Sequence, residues 1–138
     1  EIANEFFSRG ATVLICSRKQ DELRATMKEI DPTGKRFFGV LADVSKIDDC
    51  QTLIDFAFKK FGGIDVLINN AGIYGEINEF AKTDLKKWAE TIETNLLGTV
   101  HCTRFVLPIM KKAGKGKIVN FAGAGIGGKN PLPNFFNT

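Results

Sequence analysis

Short apolar strands alternating with amphipathic helices predict an α/β fold built on a parallel sheet. Three observations carry this expectation. Strand-length apolar runs recur at residues 11–16, 36–41, 64–68 and 117–121. Between the second and third runs, Ile47, Leu53, Ile54, Ala57, Phe58 and Phe61 fall near helical spacing. The strand–helix–strand order then implies parallel strands joined by right-handed crossovers.

In chain order, residues 1–9 read as the end of a helix, with Ile2, Phe6 and Phe7 on one face and Gly10 as its stop. Residues 11–16 form a buried strand. Ser17-x-x-Gln20 has the form of a capping box, opening a helix that carries Leu23, Met27 and Ile30. Asp31-Pro32-Thr33-Gly34 is a turn into the strand at 36–41. Ser45-x-x-Asp48 caps the next helix, which ends near Phe61 before the strand at 64–68. A loop runs to Lys82, and Thr83 or Asp84 caps a helical stretch to about Lys112, bent by Gly98 and Pro108. The strand at 117–121 is followed by Gly-rich and then Pro-rich residues.

The 138 residues suffice for one modest domain, and 43% hydrophobic against 25% charged residues is the balance of a globular protein. No apolar run approaches the ~18 residues of a membrane span. The chain opens Glu1-Ile2-Ala3-Asn4-Glu5 without a signal-peptide pattern or a starting Met, so the natural N-terminus is expected elsewhere. Cys16, Cys50 and Cys102 are widely spaced and odd in number, as free thiols in the reducing cytoplasm would be. Net charge is +3. Lys111, Lys112, Lys115 and Lys117 read as cations drawn to a helix C-terminus, and with no interleaved aromatic they do not indicate nucleic acid. His101 is the only histidine and sits in the apolar run 100–107, which argues against a His-rich metal site or a Ser-His-Asp triad in these residues. No metal is expected.

The most informative stretch is Gly62-Gly63-Ile64-Asp65-Val66-Leu67-Ile68-Asn69-Asn70-Ala71-Gly72. An apolar strand runs into two amides and then Ala-Gly. Ligands bind at the carboxyl ends of strands in such sheets, where amides offer donors and acceptors. Gly72 suits a tight turn or close approach to a ligand. Asn69-Asn70-Ala71-Gly72 after a strand resembles the signature of the short-chain dehydrogenase/reductase family. The similarity extends over nearly the whole chain in element order. It implies a Rossmann-type doubly wound parallel sheet, with residues 1–138 forming part of one dinucleotide-binding domain.

The resemblance also implies roles for individual residues. Ser17 and Arg18 stand where the family selects its cofactor, after the family's second strand. An acid there would bond a ribose 2′-OH; Arg18 instead suits a 2′-phosphate, so NADP(H) is favoured over NAD(H). Asp43 and Val44 match an Asp-Val step that contacts the adenine. Asn70, Ala71 and Gly72 would line the adenosine-ribose and nicotinamide side, with the Asn also tying neighbouring strands. Asn95 is similar to the helix Asn of the family's Asn-Ser-Tyr-Lys tetrad, which holds a water leading to the catalytic Lys. Asn is a poor helix former, so its place inside a helix needs a reason. Trp88 and Phe105 are expected near a subunit interface, because family members commonly form homo-dimers or homo-tetramers through their long helices.

The chain departs from the family pattern in three places. Ala122 and Gly123 occupy the serine positions in Ile118-Val119-Asn120-Phe121-Ala122-Gly123. One oxyanion donor, a group worth about 3–4 kcal/mol, is therefore absent; Asn134 or N–H groups of the glycine loop are candidate replacements. The family's first strand and Gly-rich turn are expected before Glu1, and its Tyr-x-x-x-Lys pair after Thr138. The chain is then the middle of a longer one, lacking the central strand of its sheet and expected to fold poorly by itself.

Gly123, Gly125 and Gly128 satisfy G-x-G-x-x-G, and Gly123 to Lys129 nearly completes a phosphate-binding P-loop. Asn130-Pro131-Leu132-Pro133-Asn134 cannot continue as the helix either motif needs. Three readings follow: an NADP(H)-dependent oxidoreductase acting on a small carbonyl or alcohol substrate; a non-catalytic NADP(H)-binding relative, favoured by Ala122 and Gly123; and, weakest, a P-loop nucleotide hydrolase.

Overall fold

The four expected strands all form, and they pair in parallel, two by two. The computed structural model describes residues 1–122. Contacts divide the chain into two units, Glu1–Asp43 and Val44–Thr138.

The first unit contains α1 (Ile2–Ser8), β1 (Val13–Ser17), α2 (Gln20–Ile30) and β2 (Phe37–Leu41). β1 and β2 run from Val13 opposite Phe37 to Ser17 opposite Leu41. The helix α2 lies close on β2 at Gly39, where a Cβ would come within 2.8 Å of Leu23 Cδ1. Leu23 and Phe37 are buried there, and burying a side chain of this kind contributes about 1.5–3 kcal/mol. Phe7 meets Phe37 edge to face at 5.8 Å. Arg36 covers the Phe7 ring at 4.3 Å while donating to the Phe7 and Ala11 carbonyls. Ile2 and Phe6 remain exposed, so of the expected apolar face of α1 only Phe7 is packed.

The turn at Asp31 does more than reverse the chain. Its carboxylate accepts from Thr33 Oγ1 at 2.5 Å and from the backbone N–H groups of Thr33, Arg36 and Phe37. These bonds, the Thr33 hydroxyl first, hold the Asp31 carboxyl well below the usual carboxylate range. The resulting stability is complete above the unfolded carboxyl value of about 4 and is lost as pH falls toward the depressed folded value. Asp31→Asn in the full-length protein should therefore unfold at lower urea at pH 7. It should also lose less further stability than the parent on acidification below about pH 4. Parallel acid profiles for the two proteins would refute this role.

The second unit contains α3 (Ile47–Phe61), β3 (Val66–Asn69), a 3-10 turn (Phe80–Lys82), α4 (Leu85–Ile92), a π turn (Glu93–Leu97), α5 (Gly98–Ala113) and β4 (Lys117–Asn120). Its core is Ile54 of α3 with Val106 and Met110 of α5, against which Ile64, Leu67 of β3 and Ile118 of β4 pack. No helix among the described residues is long and apolar enough to cross a membrane.

Two local expectations are corrected. Ser17 does not build a capping box: its Oγ accepts from Lys19 N at 3.1 Å, and α2 starts from Lys19 without a side-chain cap. Lys46, not Ser45, is the N-cap of α3. The long helical stretch includes a π turn, Glu93–Leu97, just before Gly98, and α5 continues through Pro108. Asp84 does cap α4, accepting from Lys86 N at 2.8 Å. The described strands form two separate pairs, and no described strand joins β1 to β3.

Candidate functional site

In the second unit, β3 and β4 end together, with Asn69 opposite Asn120. Asn69 Nδ2 donates to Asn120 Oδ1 at 2.9 Å and to Thr103 Oγ1 of α5 at 3.2 Å. The strand tie expected of Asn70 is therefore made by Asn69, because the register puts that residue beside the matching amide. Asn residues at the ends of both strands were the signal for it. Asn70, Ala71 and Gly72 follow as an exposed three-residue span.

The far end of that span is held by Asn95. Its Oδ1 accepts from Ile73 N and its Nδ2 donates to Ile73 O, both at 2.9 Å. A side-chain amide carries the same donor and acceptor as a peptide group, so Asn95 pairs with the loop as a strand would. This supplies the reason for an Asn inside a helix. The π turn belongs to the same device, since such turns re-aim side chains within a helix and recur at functional sites. Gly72 and Asn95 are thereby brought together: a Cβ on Gly72 would lie 3.4 Å from Asn95 Oδ1. The left-handed turn in this loop falls on Gly75, with a φ of 68°, and not on Gly72.

Val44 packs against the start of α5. A Cβ on Gly98 would sit 2.8 Å from Val44 Cγ2. The Val44 carbonyl accepts from Cys50 Sγ at 3.2 Å and faces His101 Nδ1 at 3.4 Å. His101 thus meets backbone within the fold. Cys50 and Cys102 are buried, Cys16 is half-buried, and all three are free thiols.

In the first unit, Ser17, Arg18 and Asp43 share one end of the sheet. Ser17 ends β1, its carbonyl accepts from Ala42 N at 3.1 Å, and Asp43 follows Ala42. Arg18 is exposed. An exposed guanidinium at the carboxyl end of a parallel strand fits a phosphate-bearing cofactor. The exposed residues 70–72 likewise leave a strand end open to a ligand. Ala122 is exposed two residues beyond Asn120. Gly123, Asn134 and the P-loop-like stretch from Gly123 to Lys129 lie outside the described residues.

The sequence pattern of the short chain dehydrogenase family matches residues 1–136. The chain is 38% identical over 122 residues to the ketoacyl reductase HetN of a Nostoc species, covering 88% of this chain and 42% of that protein. It is 31% identical over 137 residues to 11-beta-hydroxysteroid dehydrogenase A of Sesamum indicum, covering 99% of this chain and 39% of that protein. Among solved structures, an F189W actinorhodin polyketide ketoreductase with NADPH matches with a TM-score of 0.86 and 32% identity, over 96% of this chain and 52% of that one. The chain spans about two-fifths to a half of the length of the curated relatives it matches. With the family pattern running along all but its last two residues, the chain belongs to the short chain dehydrogenase family of oxidoreductases.

Proposed function

We propose that the protein carrying this chain transfers hydride between NADP(H) and the carbonyl or alcohol carbon of a small molecule. The observation that carries this reading is the strand end of the second unit. Residues 70–72 are exposed between two anchors, Asn69 on Asn120 and Ile73 on Asn95. Such a span holds its backbone and the Asn70 amide ready for a nucleotide without first having to be ordered. The ketoreductase neighbour with NADPH and the ketoacyl reductase relative support the same chemistry.

Within this reading residues 1–138 belong to one dinucleotide-binding domain. The cofactor supplies the hydride, and this chain's residues bind and orient. Arg18 and Ser17 hold the ribose phosphate, Asp43 and Val44 the adenine, and residues 70–72 the ribose and nicotinamide side. Asn95 keeps that strand end in place and takes the tetrad position that serves the proton relay. Ala122 and Gly123 offer no side-chain hydroxyl, so the oxyanion bond comes from elsewhere, with Asn134 and the glycine-loop N–H groups as candidates.

The protein works in the cytoplasm as a homo-dimer or homo-tetramer, without nucleic acid, membrane or metal. Exposed Leu85, Leu96, Leu97, Val100 and Leu107 on the long helical stretch, beside Trp88 and Phe105, offer its contact surface.

Fluorescence titration of the full-length protein with NADPH and NADH tests the proposal. NADPH should bind more tightly. Arg18→Ala should weaken NADPH by about tenfold, the scale of one charge-assisted contact, and leave NADH unchanged. Equal affinities in the parent would remove the role of Arg18, and binding of neither nucleotide would overturn the proposal.

A further inference from the structure

We infer that Thr91 and Glu76 are positioning residues: with Gly75 they form a second latch that aims residues 70–72 at the cofactor. The inference rests on the nicotinamide-cofactor reading above. Asp84, Lys87, Thr91 and Asn95 follow one another at intervals of three and four, so they share one face of α4 continued into the π turn. The loop after β3 runs along this face in the opposite direction. Ile73 bonds Asn95, Gly75 lies on Thr91, and Glu76 accepts from Asp84 N at 2.7 Å and pairs with Lys87 at 3.5 Å.

The seat at Thr91 has no slack. Thr91 is 1% exposed, and its hydroxyl is oriented by donation to Lys87 O at 2.9 Å. A Cβ on Gly75 would overlap Thr91 Oγ1 and lie 3.3 Å from Thr91 Cβ and Cγ2. The left-handed φ of 68° at Gly75 carries the chain over this contact. Glu76 then places a carboxylate at the N-terminus of α4, where the helix dipole favours it.

A single anchor at Ile73 fixes one point of the loop. A second anchor two and three residues later fixes its direction. The residues between Asn69 and Ile73 span at most ~3.5 Å each, so Gly72 follows closely from how Ile73 is held, and the latch at Gly75 and Glu76 sets the direction in which the chain leaves Ile73. Asn95 alone therefore sets where the loop sits, and the Thr91–Glu76 latch sets how residues 70–72 face the nucleotide.

The test uses the full-length protein, NADPH titration and steady-state kinetics. Gly75→Ala should raise the Kd for NADPH at least about tenfold, and adding Thr91→Ala should recover part of that loss, as expected for sites in contact, the remainder being the strain of Ala at a left-handed φ. Glu76→Gln, which leaves the core untouched, should raise Kd and KM for NADPH several-fold and keep kcat within about twofold, the mark of lost binding rather than lost chemistry. If Gly75→Ala fails to fold, Glu76→Gln decides. Additive effects of Gly75→Ala and Thr91→Ala, or a Glu76→Gln protein with lowered Tm but unchanged Kd, would overturn the latch and leave the cofactor reading standing. A parent protein that binds neither nucleotide would overturn both.

Discussion

Asn95→Ala is expected to destabilise the full-length protein by about 2–4 kcal/mol, the scale of leaving two backbone polar groups unpaired. Both groups belong to Ile73, and the Asn95 amide is their partner at 2.9 Å on each side. The variant gains helix propensity, because Ala is the better helix former, by roughly 0.6 kcal/mol, so the clamp dominates. NADPH affinity should fall with stability, since residues 70–72 lose their downstream anchor. Asn95→Asp separates the two bonds. Its carboxylate still accepts from Ile73 N but faces the Ile73 carbonyl oxygen with a like partial charge, so it should do no better than Ala. Urea unfolding with and without NADPH measures both effects. An Asn95→Asp protein as stable as the parent would show that the donor half of the clamp contributes nothing.

Gly98→Val is expected to cost about 3 kcal/mol and Gly98→Ala about 1–2 kcal/mol, the range of overpacking a filled contact less a helix-propensity gain. An added Cβ would meet Val44 Cγ2 at 2.8 Å and the Val44 carbonyl oxygen at 3.2 Å. The side chain can shift, but the carbonyl is held by Cys50 Sγ. Val44→Ala should therefore rescue Gly98→Ala in part, with a coupling above about 0.5 kcal/mol. Gly98 directly follows the π turn, so displacement of α5 should also loosen the Asn95 clamp and weaken NADPH. Additivity of the two substitutions would place the cost of Gly98→Ala outside this contact.

Much of the architecture was legible because it depends on periodicity. Short apolar runs and 3.6-residue periodicity located the four strands and the helices between them, and Thr83-Asp84 announced the start of α4. The capping box expected at Ser17 does not form because a Ser near a helix start also has local backbone partners; Ser17 Oγ turns to Lys19 N. Intrinsic tendency points to Gly98 and Pro108 as bend sites and gives no sign of a π turn. The π turn at Asn95 accompanies a side chain that bonds a loop 22 residues earlier in the chain, a partner no local window contains.

The candidate site divides the same way. The Asn69-Asn70-Ala71-Gly72 stretch and Asn95 stood out from residue type and place alone. That Asn69 rather than Asn70 ties the strands follows from register, because neighbouring residues on a strand point to opposite faces.

By itself, then, the sequence determined the alternation of strands and helices, the family, the positions at strand ends proposed above to hold a nucleotide, and the absence of a serine at Ala122 and Gly123. These are properties of residue type and spacing along the chain. Only the tertiary structure decided that Asn95 clamps Ile73, that Gly75 rather than Gly72 bears the left-handed turn, that Val44 packs on Gly98, and that the described strands form two separate pairs. Each of these is a contact between residues distant in sequence, and such contacts are set by register, burial and the pairing of backbone groups, which local pattern does not encode.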